Sequence, residues 1–273
     1  MKDFRAGEVI LINKPLTWTS FQVVNKMKYV IKSWERNRKP ESDADEPATL
    51  PEPENHEKEG RDEESYTTRK GKKPVSKLPG PTKMKIGHAG TLDPLATGLL
   101  IVCTGKQTKN IESYQAQEKE YTGTFYLGAT TPSYDLETGI DIRYPTDHIT
   151  DELIYETVLE FFGNLKQTPP IYSAIRIDGR RAYKIARSGK TAEMPEKEIR
   201  ITEFEITRIA MPEVDFRVVC SKGTYIRSLA RDFGEALKSG AHLTALCRTR
   251  IGDYRLEDAV TIEEFEASVK AEK

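Results

Sequence analysis

One carboxylate stands out by its setting. Asp93 lies in GHAGTLDPLATG, residues 87 to 98, where Gly87, Gly90 and Gly98 punctuate a short run and Pro94 directly follows the acid. Proline disfavours the helical region for the residue before it, so Asp93 is held extended and its side chain has few directions to point. The glycines permit backbone turns that a side chain would block. A carboxylate on a stiff, glycine-bounded loop suits nucleophilic or acid–base chemistry. On local chemistry alone, an ordinary Asp-Pro turn explains the same residues. Other chemistries fit less well. Gly105-Lys106 lacks the partner glycine of a phosphate loop, because Leu100 occupies that position. Cys103, Cys220 and Cys247 are odd in number and widely separated, each in an apolar stretch, and read as reduced thiols rather than disulfides or zinc ligands. A glycoside hydrolase would require a paired carboxylate, and no second acidic motif accompanies Asp93.

A second cluster points to a polyanion. Between Arg176 and Lys190, the bases Arg176, Arg180, Arg181, Lys184, Arg187 and Lys190 face a single acid, Asp178, with Tyr172 and Tyr183 nearby. If the second half is helical, Arg180, Lys184 and Arg187 share one face, an arrangement suited to phosphate contacts with occasional base stacking. A solvated basic helix is the plain alternative.

These residues need a scaffold. The chain has 273 residues, enough for one or two domains with a sizeable core. Hydrophobic periodicity predicts a strand over Glu8 to Asn13 and a helix capped by Ser20 with Phe21, Val24, Met27 and Ile31 inward. It predicts a buried strand from Leu99 to Thr104, and another with Tyr121, Phe125 and Leu127 on one face. A helix over Asp151 to Phe162 follows, with Ile154, Val158, Phe161 and Phe162 inward and Gly163 at its end. Val214, Phe216, Val218 and Cys220 alternate as in a strand, and after the turn at Gly223 comes a helix bearing Ile226, Leu229 and Phe233. Strands and helices interleave without strict βαβ alternation, so the fold expected is α+β with a mixed sheet. Residues 35 to 80 differ. They hold six prolines, 12 acids and 10 bases, with only Leu50, Tyr66, Val75 and Leu78 as large apolar residues. Such a stretch cannot bury enough surface to offset its chain entropy, and reads as a disordered charged insert. Formal net charge is -1, so RNA binding would rest on local rather than global charge. The only early apolar run, Val9 to Ile12, is too short for a signal core or a membrane span, and a cytoplasmic protein is expected.

GHAGTLDPLATG closely resembles the catalytic loop of the bacterial tRNA pseudouridine-55 synthase (TruB-type) family, and further segments match that family in order. NKPLTWTS resembles its lysine-proline motif, at Lys14 and Pro15. EKEYTGTFYLGATTPSYDLETG resembles the strand with the active-site tyrosine, here Tyr121. YSAIRIDGRRAYKIARSG is similar to its RNA-gripping insertion, 164 to 197. CSKGTYIRSLARDFGEAL carries the matching Tyr225 and Arg227, and AHLTALCRTRIGDY the matching Leu246.

The resemblance implies a pseudouridine synthase fold, largely antiparallel with flanking helices, formed by residues 1 to 34 and 81 to 273. It implies isomerisation of a uridine in the T-loop of transfer RNA, breaking the C1′–N1 bond and rejoining the uracil through C5. Nothing is oxidised and no group leaves, so no cofactor and no metal are expected. Asp93 would act on the nucleoside, with Arg227 pairing to it and keeping it ionised. Tyr121 would stack on the flipped uracil, its hydroxyl helping to remove the C5 proton. Leu246 and Tyr225 would wall the pocket, Lys14 would support it through loop contacts, and His88 would fill the space left by the extruded base. The T-arm stem-loop is the implied partner, with no guide RNA and no membrane. Three departures accompany the resemblance: Thr17 stands where the family usually has glycine, the 35 to 80 insert precedes the catalytic loop, and no C-terminal RNA-binding domain is expected. A non-catalytic RNA-binding or RNA-folding factor on the same scaffold is the main rival, although retention of Asp93, Tyr121 and Arg227 together argues against it.

Overall fold

A computed structural model describes residues 3 to 37 and 84 to 271. The element order is β1 (Val9–Lys14), α1 (Ser20–Asn37), β2 (Ile86–His88), β3 (Thr97–Thr104), α2 (Ile111–Ala116), β4 (Lys119–Leu127), β5 (Ala129–Thr130) and β6 (Ile142–Arg143). There follow α3 (Asp151–Leu159), β7 (Gly163–Gln167), β8 (Arg176–Ile177), β9 (Arg180–Arg181), α4 (Ala182–Arg187), β10 (Lys197–Ala210), β11 (Glu213–Cys220), α5 (Ile226–Ala236), β12 (Ala241–Ile251), β13 (Tyr254–Arg255) and α6 (Ile262–Ala271).

Nine strands form one sheet in the order β1-β3-β12-β4-β11-β10-β7, with β2 added to β3 and β13 to β12. The architecture is the expected α+β, mixed and mainly antiparallel. Among the described strands its one parallel pair is β12 on β3, limited to Cys247 opposite Thr97 and Arg248 opposite Gly98. That contact depends on glycine. A Cβ at Gly98 would lie 2.4 Å from the Arg248 carbonyl oxygen, and its φ of 102° disfavours any other residue. At one end of the sheet α5 and α3 cover β4, β11 and β10. Phe125, Phe204, Phe216 and Phe233 pack there in stacked and edge contacts around Val214, Val218 and Leu229. At the other end α1 and α6 bury Val23, Met27, Ile31, Phe265 and Val269 against Ile12, Leu100 and Val102. Each cluster buries aliphatic and aromatic surface at about 25 cal/mol per Å², which is the main term holding the sheet to its helices.

Several expectations shift in detail. Ser20 is the first helical residue of α1, and the cap is Thr19, whose Oγ1 accepts from the Gln22 amide (3.1 Å) while Gln22 Oε1 accepts from the Thr19 amide (2.7 Å). This reciprocal pair satisfies two end groups, and it frees the Ser20 hydroxyl for another use. Phe21 is 68% exposed, because the buried stripe runs through Val23, Val24, Met27, Val30 and Ile31. Helix α1 continues through Glu35, which pairs with Arg5 at 2.7 Å, so the charged insert cannot begin at residue 35. Its remaining part, 38 to 80, lies outside the described residues. Helix α3 stops at Leu159, three residues earlier than its periodicity implied. Gly163, with φ 85°, opens β7, and this turn leaves Phe162 41% exposed while Phe161 stays against the core. No helix among the described residues is long and apolar enough to cross a membrane.

Candidate active site

The loop carrying Asp93 is shorter than the glycine spacing implied. Gly87 belongs to β2 and Gly98 to β3, so the loop proper runs from 89 to 96, with Gly90 (φ 97°) its only interior glycine. Neighbouring elements fix it at several points. The Ala89 amide donates to the Ile101 carbonyl at 2.9 Å. The Ser20 hydroxyl, released from capping, accepts from the Leu92 amide at 2.9 Å and donates to the Leu92 carbonyl at 3.3 Å. Lys14, wholly buried at the end of β1, donates to the carbonyls of Pro15 (2.9 Å), Trp18 (2.6 Å) and Pro94 (3.4 Å). Burial lowers its ammonium to about 8, with Asp93 partly opposing. The Thr17 amide also donates to Pro94, at 2.8 Å. The loop is therefore sewn to the segment joining β1 and α1 on both sides of Asp93.

Thr17 occupies that segment with φ 69°, the left-handed region that glycine tolerates and a β-branched residue resists. Thr17→Gly is expected to leave the Pro94 contact intact and to raise stability by roughly 1 kcal/mol, the low end for such strain after allowing for glycine's greater unfolded entropy. Chemical denaturation measures it, and a fall in stability of similar size would contradict the strain argument.

Arg227, the second residue of α5, is 4% exposed and anchors the other wall. Its Nε lies 2.9 Å from Asp93 Oδ2 and 3.7 Å from Asp135 Oδ2, Nη1 donates to the Ser133 carbonyl at 3.3 Å, and Nη2 donates to the Tyr172 carbonyl at 2.9 Å. The Asp93 contact is off line for a hydrogen bond, since Nε has no aligned acceptor, so it acts as an ion pair. Burial raises the Asp93 carboxyl above the ordinary range. Arg227 opposes that rise, while Asp135 and Glu137 add to it. The side chain is 38% exposed at the cleft, so solvent moderates the effect. The guanidinium thus offsets part of the burial penalty on the Asp93 carboxylate.

Asp93 faces a cleft of about 570 Å³ lined also by Tyr121, Tyr225, Arg227, Leu246 and Arg248. Tyr121 lies on β4, Leu246 on β12, and Tyr225 immediately precedes α5, where the Gln167 side chain holds its backbone amide (2.8 Å) and carbonyl (3.1 Å). Burial raises the Tyr121 phenol, with Arg248 opposing. A smaller apolar hollow of about 100 Å³ also borders Asp93, between Leu16, Leu95, Leu136 and Leu246. Asp93, Tyr121, Tyr225, Arg227 and Leu246 are brought together as one site, with Lys14 behind the loop. His88 stands apart. It ends β2, its Nδ1 is buried without a partner, and burial lowers its imidazole toward the neutral form. It is not among the residues lining the cleft.

The basic segment is only partly helical. Arg176 is in β8, Arg180 and Arg181 form β9, and α4 begins at Ala182, so Arg180 does not share a helix face with Lys184 and Arg187. Arg176, Arg180, Arg181, Lys184 and Lys190 surround one shallow, open hollow. Arg187 points elsewhere, pairing with Glu137 at 2.5 Å and lying over the Tyr183 ring. The hairpin and α4 place this basic surface between β7 and β10.

Three charged residues of the site were not singled out in the sequence. Asp135 supplies the second carboxylate, contrary to the expectation of a lone Asp93; it sits behind Arg227 and accepts from the Glu137 amide at 2.9 Å. Lys119 and Arg248, both buried, line the cleft floor. Asp135 lay within a quoted motif, but its role depends on a fold-back from the β5 region. Arg248 is one of two arginines in β12, with no local feature to set it apart. Among the described residues no cluster of His, Cys, Asp and Glu is arranged to hold a metal ion. Cys103 and Cys220 are buried and Cys247 half-buried, all as free thiols.

The family model for the TruB family pseudouridylate synthase N-terminal domain matches residues 78–226, and that for the tRNA pseudouridylate synthase B C-terminal domain matches 227–273. Residues 227 to 271 comprise most of α5 together with β12, β13 and α6, so the second match falls within the sheet that holds the site. A tRNA pseudouridine synthase B from Flavobacterium johnsoniae is 52% identical over 98% of this chain and 99% of its own length. The protein of that name from Phocaeicola vulgatus is 49% identical over 96% and 93%. Among solved structures, a Cbf5-Nop10-Gar1 complex matches with a TM-score of 0.60 at 23% identity. The match covers 97% of this chain, which spans about half (54%) of that one, and it supports the fold alone. Two models that together span residues 78–273, and relatives near half identity over almost the full length, place this chain in the TruB family of pseudouridylate synthases, which makes it an isomerase.

Proposed function

We propose that this protein isomerises uridine to pseudouridine in the T-loop of transfer RNA, at position 55, with Asp93 as the catalytic carboxylate and without a guide RNA. The observation that carries the reading is the pairing of a cleft-facing Asp93 with the buried Arg227, opposite Tyr121 and Leu246. Names of near relatives supply the transfer RNA substrate. The cleft admits a base that has left its stack, Tyr121 offers a ring face to it, and Leu246 and Tyr225 confine the uracil while its bond to the sugar is broken and remade. Arg227 opposes the burial that favours protonation of Asp93, and Lys14 holds its loop. His88, set back from the cleft lining, is assigned to the place vacated by the extruded base. Tritium release from transfer RNA carrying 5-³H-uridine tests the chemistry, because only substitution at C5 frees that label. Full release stoichiometric with one uridine per molecule is expected, and a purely RNA-binding factor would release none.

The basic hollow is assigned to phosphates of the T-arm, and the isolated T-arm hairpin should be a substrate. Arg180→Glu, Arg181→Glu and Lys184→Glu combined should raise KM steeply and flatten its salt dependence, by roughly one unit of log–log slope or less per lost contact, with kcat much less affected. Arg187→Glu alone should behave differently, since its charge is already engaged by Glu137. An inert hairpin beside reactive whole transfer RNA would place recognition elsewhere.

A further inference from the structure

The largest fully buried side chain of the described residues is a cation. Arg248 is 1% exposed in β12, directly opposite Tyr121 on β4 and Gly98 on β3. Its Nε donates to the Leu99 carbonyl at 2.8 Å and its Nη2 to the Gly90 carbonyl at 3.3 Å. The first acceptor exists because the parallel β3–β12 ladder ends at Gly98, leaving the next carbonyl of β3 without a strand partner on that side. The second lies in the Asp93 loop. The guanidinium shares the cleft lining with Tyr121, whose phenol its charge draws down against the effect of burial.

No carboxylate of the described residues pairs with it, whereas the site's other buried arginine, Arg227, has two. The groups that feel its charge are Lys14, His88, Lys119 and Tyr121, none of them an anion at neutral pH. A buried cation held only by carbonyl dipoles costs several kcal/mol to desolvate, and an apolar side chain of similar volume fills such a place at least as well. Stability therefore gives no reason for arginine here. The cleft does: a positive charge in its lining, opposite Tyr121 and tied to the Asp93 loop, is preorganised to hold the phenol in place.

We infer that Arg248 is a positioning residue for the isomerisation, holding the Tyr121 hydroxyl and the Gly90 end of the Asp93 loop in register so that the phenol meets the flipped uracil. This rests on the proposed function, since it names a further member of the same site. Arg248 acts through Tyr121 rather than on the sugar, because its guanidinium is tied to the Leu99 and Gly90 carbonyls and it stands directly opposite Tyr121 in the sheet.

The test compares wild type, Arg248→Met, Tyr121→Phe and the double variant by tritium release, with melting temperatures for each. Arg248→Met is expected to keep or raise the melting temperature, since a buried charge is removed, while kcat falls at least ~100-fold with KM within about threefold, in the range of lost acid–base assistance. In the Tyr121→Phe background the same change should cost less than about threefold further, because residues acting as a unit are not additive. A lowered melting temperature with kcat near wild type would make Arg248 structural and overturn the inference, as would fully multiplicative losses. Should Arg248→Met not fold, Arg248→Lys replaces it: a lowered kcat at unchanged KM supports the role, and a wild-type kcat refutes it. Absence of release by the wild type would instead refute the underlying assignment, so the two failures are distinguishable.

Discussion

Asp93→Asn is expected to abolish turnover, with a loss of at least ~10⁴-fold in kcat while binding of transfer RNA changes little, the scale seen when the residue that carries the chemistry is removed. The substitution is nearly isosteric, Arg227 retains Asp135 and two carbonyls as partners, and the loop keeps its ties to Ser20 and Lys14. A stability effect of definite sign accompanies it. The folded Asp93 carboxyl is raised, chiefly by burial. A group raised in this way favours the fold most when protonated, below the ordinary carboxylate range, and that contribution is lost as pH rises through the folded value. The variant should therefore melt above wild type at neutral pH, and the gap should close on acidification. Single-turnover rates and melting curves across pH measure both effects. Turnover within tenfold of wild type would remove Asp93 from the mechanism.

How far the sequence reached this site depends on the kind of signal each residue emits. Strands and helices whose apolar residues recur with period two or 3.6 were legible, and β4, β11 and α5 lie where the spacing placed them. Capping chemistry misled at Ser20, because serine at a helix start is a generic cap and only the third dimension shows that its hydroxyl serves Leu92. Phe21 looked inward because it precedes Val24 by three residues, yet Val23 and Val30 complete the buried stripe without it. The basic cluster was legible as charge but not as shape. A two-residue hairpin at Arg180 breaks the helical spacing, and Arg187 turns to Glu137, fifty residues away in sequence.

Asp135 and Arg248 were invisible for a related reason. Each acquires its role from a partner far along the chain, Asp135 from Arg227 and Arg248 from Leu99, Gly90 and Tyr121. Local pattern carries no trace of such pairings, since charged residues in strands and loops are ordinarily solvated. The family motif located Asp93, Tyr121 and Arg227, but how they meet depends on the docking of α5 against the Asp93 loop and on the β12–β4 register. The same uninterrupted register that brings Leu246 to the cleft sets Arg248, two residues on and on the same face, directly opposite Tyr121.

Arg227→Met should produce the second large loss, and its pH dependence separates two roles that activity alone would confuse. In the wild type the guanidinium opposes the burial that raises the Asp93 carboxyl. Without it the carboxyl rises further, so the acid limb of kcat/KM should move to higher pH, and activity at neutral pH should fall by roughly 10³-fold with partial recovery on the alkaline side, a fall of about 4 kcal/mol in transition-state stabilisation. The fold should weaken as well. Removing one member of a buried charged cluster typically costs about 3–5 kcal/mol, here because Asp135 loses its cation and the Ser133 and Tyr172 carbonyls lose their donors. Arg227→Lys keeps the charge but a single ammonium cannot reach across four acceptors, so it should restore much of the acid limb while recovering little of the stability. A loss of equal size at every pH, with the acid limb where the wild type has it, would mean that Arg227 binds RNA instead of setting the charge of Asp93.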